Sequence, residues 1–191
     1  MRIADLGLRI ISVSRQAAIR IPKSAIIMTS LSAYEIALGR SRTYALLSRL
    51  YRRALDDEAM AYVRAIPVLA APITPESDFD ELAAAYQDLF GFNVFPYQTL
   101  FLDPAGQLGG PEKVRVQQSL AAMRYRPDPE NADDHIAEEL ALLAFLSGAE
   151  ADARRDGLDA TSDQVVARQA EFLADHLLRW IAPFVAAVRR T

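Results

Sequence analysis

Along most of the chain apolar residues recur at intervals of three and four, the spacing of amphipathic helices rather than of half-buried strands. From Ser32 to Leu55, Tyr34, Leu38, Leu47, Leu50, Tyr51 and Ala54 keep that spacing while Arg40, Arg42, Arg49 and Arg52 fall largely on other faces, which predicts a first helix. Asp56 or Asp57 is placed to cap a second, DDEAMAYVRAI, which Pro67 and PVLAAPITP bring to an end. Ser77 with Asp80 reads as the capping pair of a third helix, whose stripe of Leu82, Tyr86, Leu89 and Phe90 is closed by Gly91. NVFPYQTLFLD reads as extended or irregular. After QLGGPEK a further helix begins with Pro111 near its first position and Val114, Leu120 and Met123 on its buried side. RPDPEN, residues 126–131, then breaks the chain, and its two prolines without an apolar anchor predict a hinge.

The second half opens on ENADDHIAEELALLAFLSGAE. Asp133 or Asp134 can accept the free N–H groups of a helix start, and Glu138 and Glu139 add negative charge near the positive end of its dipole. Leu140, Leu142, Leu143, Phe145 and Leu146 then leave almost no polar face, which predicts a helix at the centre of the core. A last helix runs from about Ser162 to Arg190, its buried face marked by Val165, Val166, Gln169, Phe172, Leu173, His176, Leu177, Trp180, Ile181, Phe184 and Val188, with Pro183 expected to bend it. The pattern predicts an all-α, single-domain helical bundle with a long middle loop and a hinge between its N- and C-terminal halves.

Composition agrees and removes several chemistries. The hydrophobic fraction is 51% with only 8 glycines, which favours helices. There is no cysteine, so disulfides, thiolate metal sites and cysteine nucleophiles are excluded, and two histidines are too few for a histidine-rich metal site. No apolar stretch approaches the roughly 18 residues that cross a bilayer. The net charge of −4 hides an asymmetry, because residues 1–27 carry Arg2, Arg9, Arg15, Arg20 and Lys23 against Asp5 alone. Arginines interrupt every apolar core there, so the stretch does not read as a secretory signal. It reads as a basic N-terminal extension outside the core, with the folded domain spanning 28–191 from Met28. The acidic remainder argues against a nucleic-acid backbone and suits a cationic partner.

Candidate chemistry concentrates in ENADDHIAEEL. Asp134 and Glu138, like His135 and Glu139, are four apart and share helix faces, so a metal held by one histidine and several carboxylates is geometrically possible, with Asp175 and His176 as a second cluster. Such bundle sites draw Glu-x-x-His from facing helices, and no second one exists here. Nor is there a nucleophile elbow, a phosphate-binding glycine loop or a zinc motif. The stretch reads equally well as a helix cap with a solvated acidic turn, while His176 and Trp180 read as core. A helical carboxylate/His metal-dependent enzyme and an unrelated helical adaptor remain the alternatives from residues alone.

Three segments in order, AAYQDLFGFNVFPYQTLFLD, ADDHIAEELALLAFLSGAEA and QAEFLADHLLRWIAPF, resemble the TorD/DmsD/NarJ family of cytoplasmic chaperones for molybdenum-containing oxidoreductases, over roughly residues 34–188. The resemblance is carried by the aromatic-x-x-Leu-Phe helix, the Pro-aromatic-x-Ser/Thr-x-aromatic loop, the Asp-His-x-x-x-Glu turn and the terminal His-Leu-x-x-Trp. The chain departs from the family at Asp133, where Glu-Pro-Asp-His has its proline, and has Tyr97 and Thr99 where Trp or Tyr and Ser are typical.

What the resemblance implies is a cytoplasmic chaperone, not an enzyme. Its partner would be a molybdoenzyme catalytic subunit, often met at the twin-arginine leader peptide and withheld from export or assembly until its cofactor is inserted. It also implies a monomer or homodimer whose halves can exchange, and it assigns no metal or cofactor to the chain itself. A twin-arginine leader joins two guanidinium groups to an apolar segment, so its receptor needs carboxylates beside a hydrophobic groove. Asp134, Glu138 and Glu130 are the candidates for charge. Tyr86, Leu89, Phe90, Tyr97 and Phe101, with Pro96 and Thr99 of the same loop, are those for the groove, although Leu89 and Phe101 read more readily as core. His135 would orient the loop or touch the client.

Overall fold

A computed structural model describes residues 31–71, 73, 78–128 and 132–191, and these are helical nearly throughout. In chain order the elements are α1 (Ala33–Arg52), α2 (Asp57–Ala65), the single turn α3 (Pro67–Ala70), α4 (Phe79–Tyr86) continued by a π-helical segment (Gln87–Asn93), α5 (Gln98–Leu102), α6 (Gly110–Ala122), α7 (Ile136–Arg155), and α8 (Asp159–Phe172), which runs through a second π segment (Leu173–Leu177) into α9 (Leu178–Arg190). No strand occurs among the described residues; one isolated antiparallel bridge joins Tyr97 to His135. The all-α expectation holds. No helix among them is long and apolar enough to cross a membrane.

Helix α7 is the axis of the molecule. It packs along α1 on one side and α8 on another, and it buries Ile136, Leu140, Leu142, Leu143 and Leu146 in a cluster completed by Phe172, Trp180, Phe184 and Val188 of the last helix. Phe172, His176, Trp180, Phe184 and Val188 are all buried at a constant spacing of four. That spacing suits a helix whose first turns are loosened by π geometry, since widening the turn slows the drift of a four-residue stripe around the axis.

The contact of α1 with α7 rests on small residues. Ala37 is fully buried, Ser41 Oγ donates to the Ala144 carbonyl at 2.8 Å, and Ser48 Oγ donates to the Ala137 carbonyl at 2.8 Å. A Cβ on Gly148 would lie 3.3 Å from Ser41 Oγ, so the two backbones are already close. The predicted stripe of α1 is therefore only partly right. Of its members Tyr51 is buried, whereas Tyr34, Leu38, Leu47 and Leu50 are half-buried. Glu150 of α7 ties the same region together by accepting from Arg40 of α1, Arg154 Nε at 2.8 Å and Gln169 Nε2 of α8 at 2.9 Å.

Several local readings need correction. Ser32 and Glu35 form a full capping box on α1, and Asp56 caps α2 by accepting from Ala59 N at 2.9 Å. Pro67 does not merely end α2 but starts α3, where its missing N–H costs nothing at a first helical position. The cap of α4 is Asp78, which accepts from Asp80 N at 2.9 Å, and Ser77 lies outside the described residues. Gly91 does not stop the third helix, which passes through it as a π segment to Asn93. Gln98–Leu102, read as irregular, is helical. On α6 Val116 is buried where Val114 was expected, and Val114 is exposed. The last helix starts at Asp159 after a tight turn at Gly157, whose φ of +69° is readily adopted only by glycine.

Residues 1–27 lie outside the described residues, as do 129–131 of the hinge. The small-residue seam generates a direct test. Replacing Ala37 by Leu forces α1 away from α7 and lowers stability by about 1–3 kcal/mol, seen as a drop in the urea or thermal midpoint. An unchanged midpoint would show that α1 is not clamped onto α7.

Candidate functional site

The middle loop is joined to the start of α7 by backbone hydrogen bonds. Gln98 N donates to the Asp134 carbonyl at 2.9 Å and Ile136 N donates to the Pro96 carbonyl at 2.9 Å, which sets Tyr97 opposite His135. Side chains reinforce the seam: Asp134 accepts from Thr99 Oγ1 at 2.6 Å and, more weakly, from Thr99 N at 3.4 Å. Asp134 is only 1% exposed and so does not cap α7. It serves the first turn of α5 instead. The cap of α7 is His135, whose Nδ1 accepts from Ala137 N at 3.1 Å.

That bond fixes the ring chemistry. An Nδ1 that accepts is unprotonated, so the proton of the neutral ring is on Nε2. Burial drives the His135 pKa down to about 4; the nearby Asp134 charge opposes the shift, and Arg52 adds to it. The Tyr97 ring stands edge-on to the imidazole with centroids 4.9 Å apart.

Above this seam lies a cavity of about 270 Å³, lined by Arg52, Tyr86, Gln87, Phe90, Gly91, Phe95, Pro96, Tyr97 and His135. The π segment forms one wall, to which Gln87, Phe90 and Gly91 contribute. Of the candidate residues, Tyr86, Phe90, Pro96, Tyr97 and His135 meet here. Phe92 of the π segment and Phe95 of the loop that follows leave large exposed rings, 70% and 45% accessible.

The remaining candidates lie beneath. Leu89 is buried in the core. Phe101 stacks on Trp180 with centroids 5.5 Å apart, and Phe184 packs against both, so the aromatic floor continues to Phe90 and Tyr51. Glu138, fully buried, accepts from Arg52 Nη2 at 2.7 Å, while Arg52 Nη1 donates to Asp128 Oδ2 at 2.6 Å. Asp128 N also donates to Glu138 Oε2 at 3.2 Å. Glu130 lies outside the described residues. The sequence pattern placed Arg52 only on a face away from the apolar stripe; the signal that could have found its role is the need of a carboxylate in an apolar helix for a cation.

The carboxylates and histidines do not converge as a metal site requires. Among the described residues no group of three metal-ligating side chains forms. Glu138 turns to Arg52. Glu139 accepts from Trp180 Nε1 at 3.2 and 3.3 Å, and burial raises its pKa well above the ordinary carboxylate value. His176, read as core, is buried and bonded through both nitrogens: Nδ1 lies 3.2 Å from Gln98 Oε1 and Nε2 lies 2.8 Å from Ser119 Oγ. Because an amide oxygen only accepts, Nδ1 carries the proton and Nε2 accepts from the serine. Asp175 is exposed on another face.

The fold is an all-α bundle whose central helix is capped by a histidine set against an aromatic loop, and comparison identifies its family. The family model described as nitrate reductase delta subunit matches residues 45–186, so the chain belongs to that family, which serves as a chaperone in molybdoenzyme maturation. No curated protein matches the chain.

The capping histidine predicts a pH effect of definite sign. Its pKa is about 4 folded against an ordinary 6.5, so between these values the unfolded chain holds a proton that the folded chain lacks. The stability it contributes is therefore present above pH 6.5 and is lost as pH falls toward 4. His135→Asn keeps a capping side chain and removes this loss, so the stability of the variant relative to native should rise as the solution is acidified through that window. A difference that does not change with pH would mean that the ring is not buried neutral.

Proposed function

We propose that this chain is a cytoplasmic, non-enzymatic chaperone that binds the catalytic subunit of a molybdenum-cofactor oxidoreductase, at its twin-arginine leader, before export or assembly. The observation that carries the reading is the groove, in which residues from the π segment, the Phe95–Tyr97 loop and the start of α7 surround one hollow that combines aromatic rings with the polar groups of Arg52, Gln87 and His135, with Phe92 exposed on the adjoining π segment. A leader's apolar run packs against the aromatic rings of such a hollow, and its guanidinium groups are drawn toward the Asp128 and Glu138 carboxylates that Arg52 of the lining engages.

In this reading Tyr86, Phe90, Pro96, Tyr97 and His135 touch the client. Thr99, Asp134, Leu89 and Phe101 act from below by fixing the loop, and Glu138 supplies charge. Replacing Asp134 by Asn would therefore disturb the loop before it disturbs a client contact. A chaperone that withholds its client needs reversible binding of a short segment, and a half-open groove with polar ends provides it. Exchange of halves between protomers at residues 126–131 belongs to the same proposal, and concentration-dependent sizing of the protein tests it.

Tyr97 separates binding from folding, because it is half-buried and its ring contact is with His135. Calorimetric titration of a client leader peptide into native protein and Tyr97→Ala should show affinity falling about ten-fold, as expected for loss of an aromatic anchor, with a nearly unchanged melt. Equal affinities with equal melts would remove the groove from the client surface.

A further inference from the structure

The carboxylates that a client arginine would need are already occupied by an arginine of the chain. Arg52 bridges Asp128 and Glu138 while its side chain lines the aromatic groove, and it is the last residue of α1, followed by extended backbone at Arg53. Glu138 has no solvent exposure, so its charge cannot be left without a cation. Exchange of one guanidinium for another keeps that charge paired.

We propose that Arg52 is an internal stand-in for the client's arginine: on binding, a leader guanidinium takes its place between Asp128 and Glu138, and Arg52 turns outward to solvent. This deepens the leader-binding reading and rests on it. Geometry favours the exchange. The planar fork of an arginine spans two carboxylates as a lysine point charge does not, so the place made by Arg52 selects for a second guanidinium. Arg52 sits at a helix end and is 28% exposed, so its side chain can swing without breaking the helix.

The exchange has a thermodynamic consequence. Pairs made with the client replace pairs lost by Arg52, so in the native protein the client arginine contributes little net affinity and the apolar run contributes most. A chaperone built this way holds its client loosely enough to release it, and an arginine-free apolar segment gains no access to the buried carboxylate.

The test uses a synthetic peptide of two adjacent arginines followed by an apolar run of about ten residues, and the same peptide with both arginines replaced by glutamine. Each is titrated into the full-length native protein, Arg52→Gln, Arg52→Lys and the double variant Arg52→Gln/Glu138→Gln. The native protein should prefer the arginine peptide only slightly. In Arg52→Gln that preference should grow by about ten-fold or more, because the client then fills an empty place with charged hydrogen bonds. Arg52→Lys should fall between the two, and the double variant should lose the gain. The same preference in native and Arg52→Gln overturns the exchange. If Arg52→Gln does not melt cooperatively, Arg52→Lys decides, and a preference equal to native overturns it. When native protein binds both peptides, Tyr97→Ala weakens both and Arg52 variants change nothing, Arg52 alone has been misread; if native protein binds neither peptide, the leader-binding reading fails and the exchange falls with it.

Discussion

The seam between residues 96–99 and 134–136 is the constraint on which the site depends. Two backbone hydrogen bonds and the Asp134–Thr99 pair hold a loop from the first half against the first turn of the central helix. Without it Tyr97 would have no fixed position and the groove no second wall. The seam also explains why a helix in an apolar core begins with so many acids. Asp134 is spent on the loop, Glu138 on Arg52 and Glu139 on Trp180, so each carboxylate near the start of α7 fastens it to a different neighbour.

The two π segments fit the same scheme. One forms the groove wall through Phe90 and Gly91, and the other carries His176, which reaches Gln98 at the foot of the loop. Gln98 is fully buried and in turn donates to Glu112 of α6, which is paired with Arg179 of α9. Widened turns are common where a helix must present extra side chains to a site. Here they bring the loop, α6 and the last helix into one polar network beneath an aromatic floor. The loop wall of the groove is thereby anchored to scaffold helices, which favours a preformed surface for a client segment.

Much of this was legible in the sequence. Three-and-four spacing identified the helices, and Phe172, His176, Trp180, Phe184 and Val188 were on the predicted buried face. Tyr86, Phe90, Pro96, Tyr97 and His135 were named together and do meet. What periodicity could not supply was which polar residue answers which. Asp134 looked like a cap because Asp usually is one at a helix start, yet a backbone pairing between distant segments turned it toward Thr99 and left His135 to cap. Arg52 showed in the pattern only as a charge off the apolar stripe, because its partners are 76 and 86 residues away. The seam of Ala37, Ser41 and Ser48 was missed because small residues carry little weight in a hydrophobic pattern, although they let two helices approach most closely. The π segments gave no signal in spacing, and Gly91 read as a stop.

Amide hydrogen exchange, measured with and without the client's leader peptide, tests the central claim most directly. The amides of Gln98 and Ile136 should exchange slowly in the free protein, since they form the seam. On binding, added protection should fall on residues 86–97 and on the first turn of α7, with little change along α8. Fast exchange at Gln98 and Ile136, or protection that appears on α8 while residues 86–97 stay unchanged, would contradict the account.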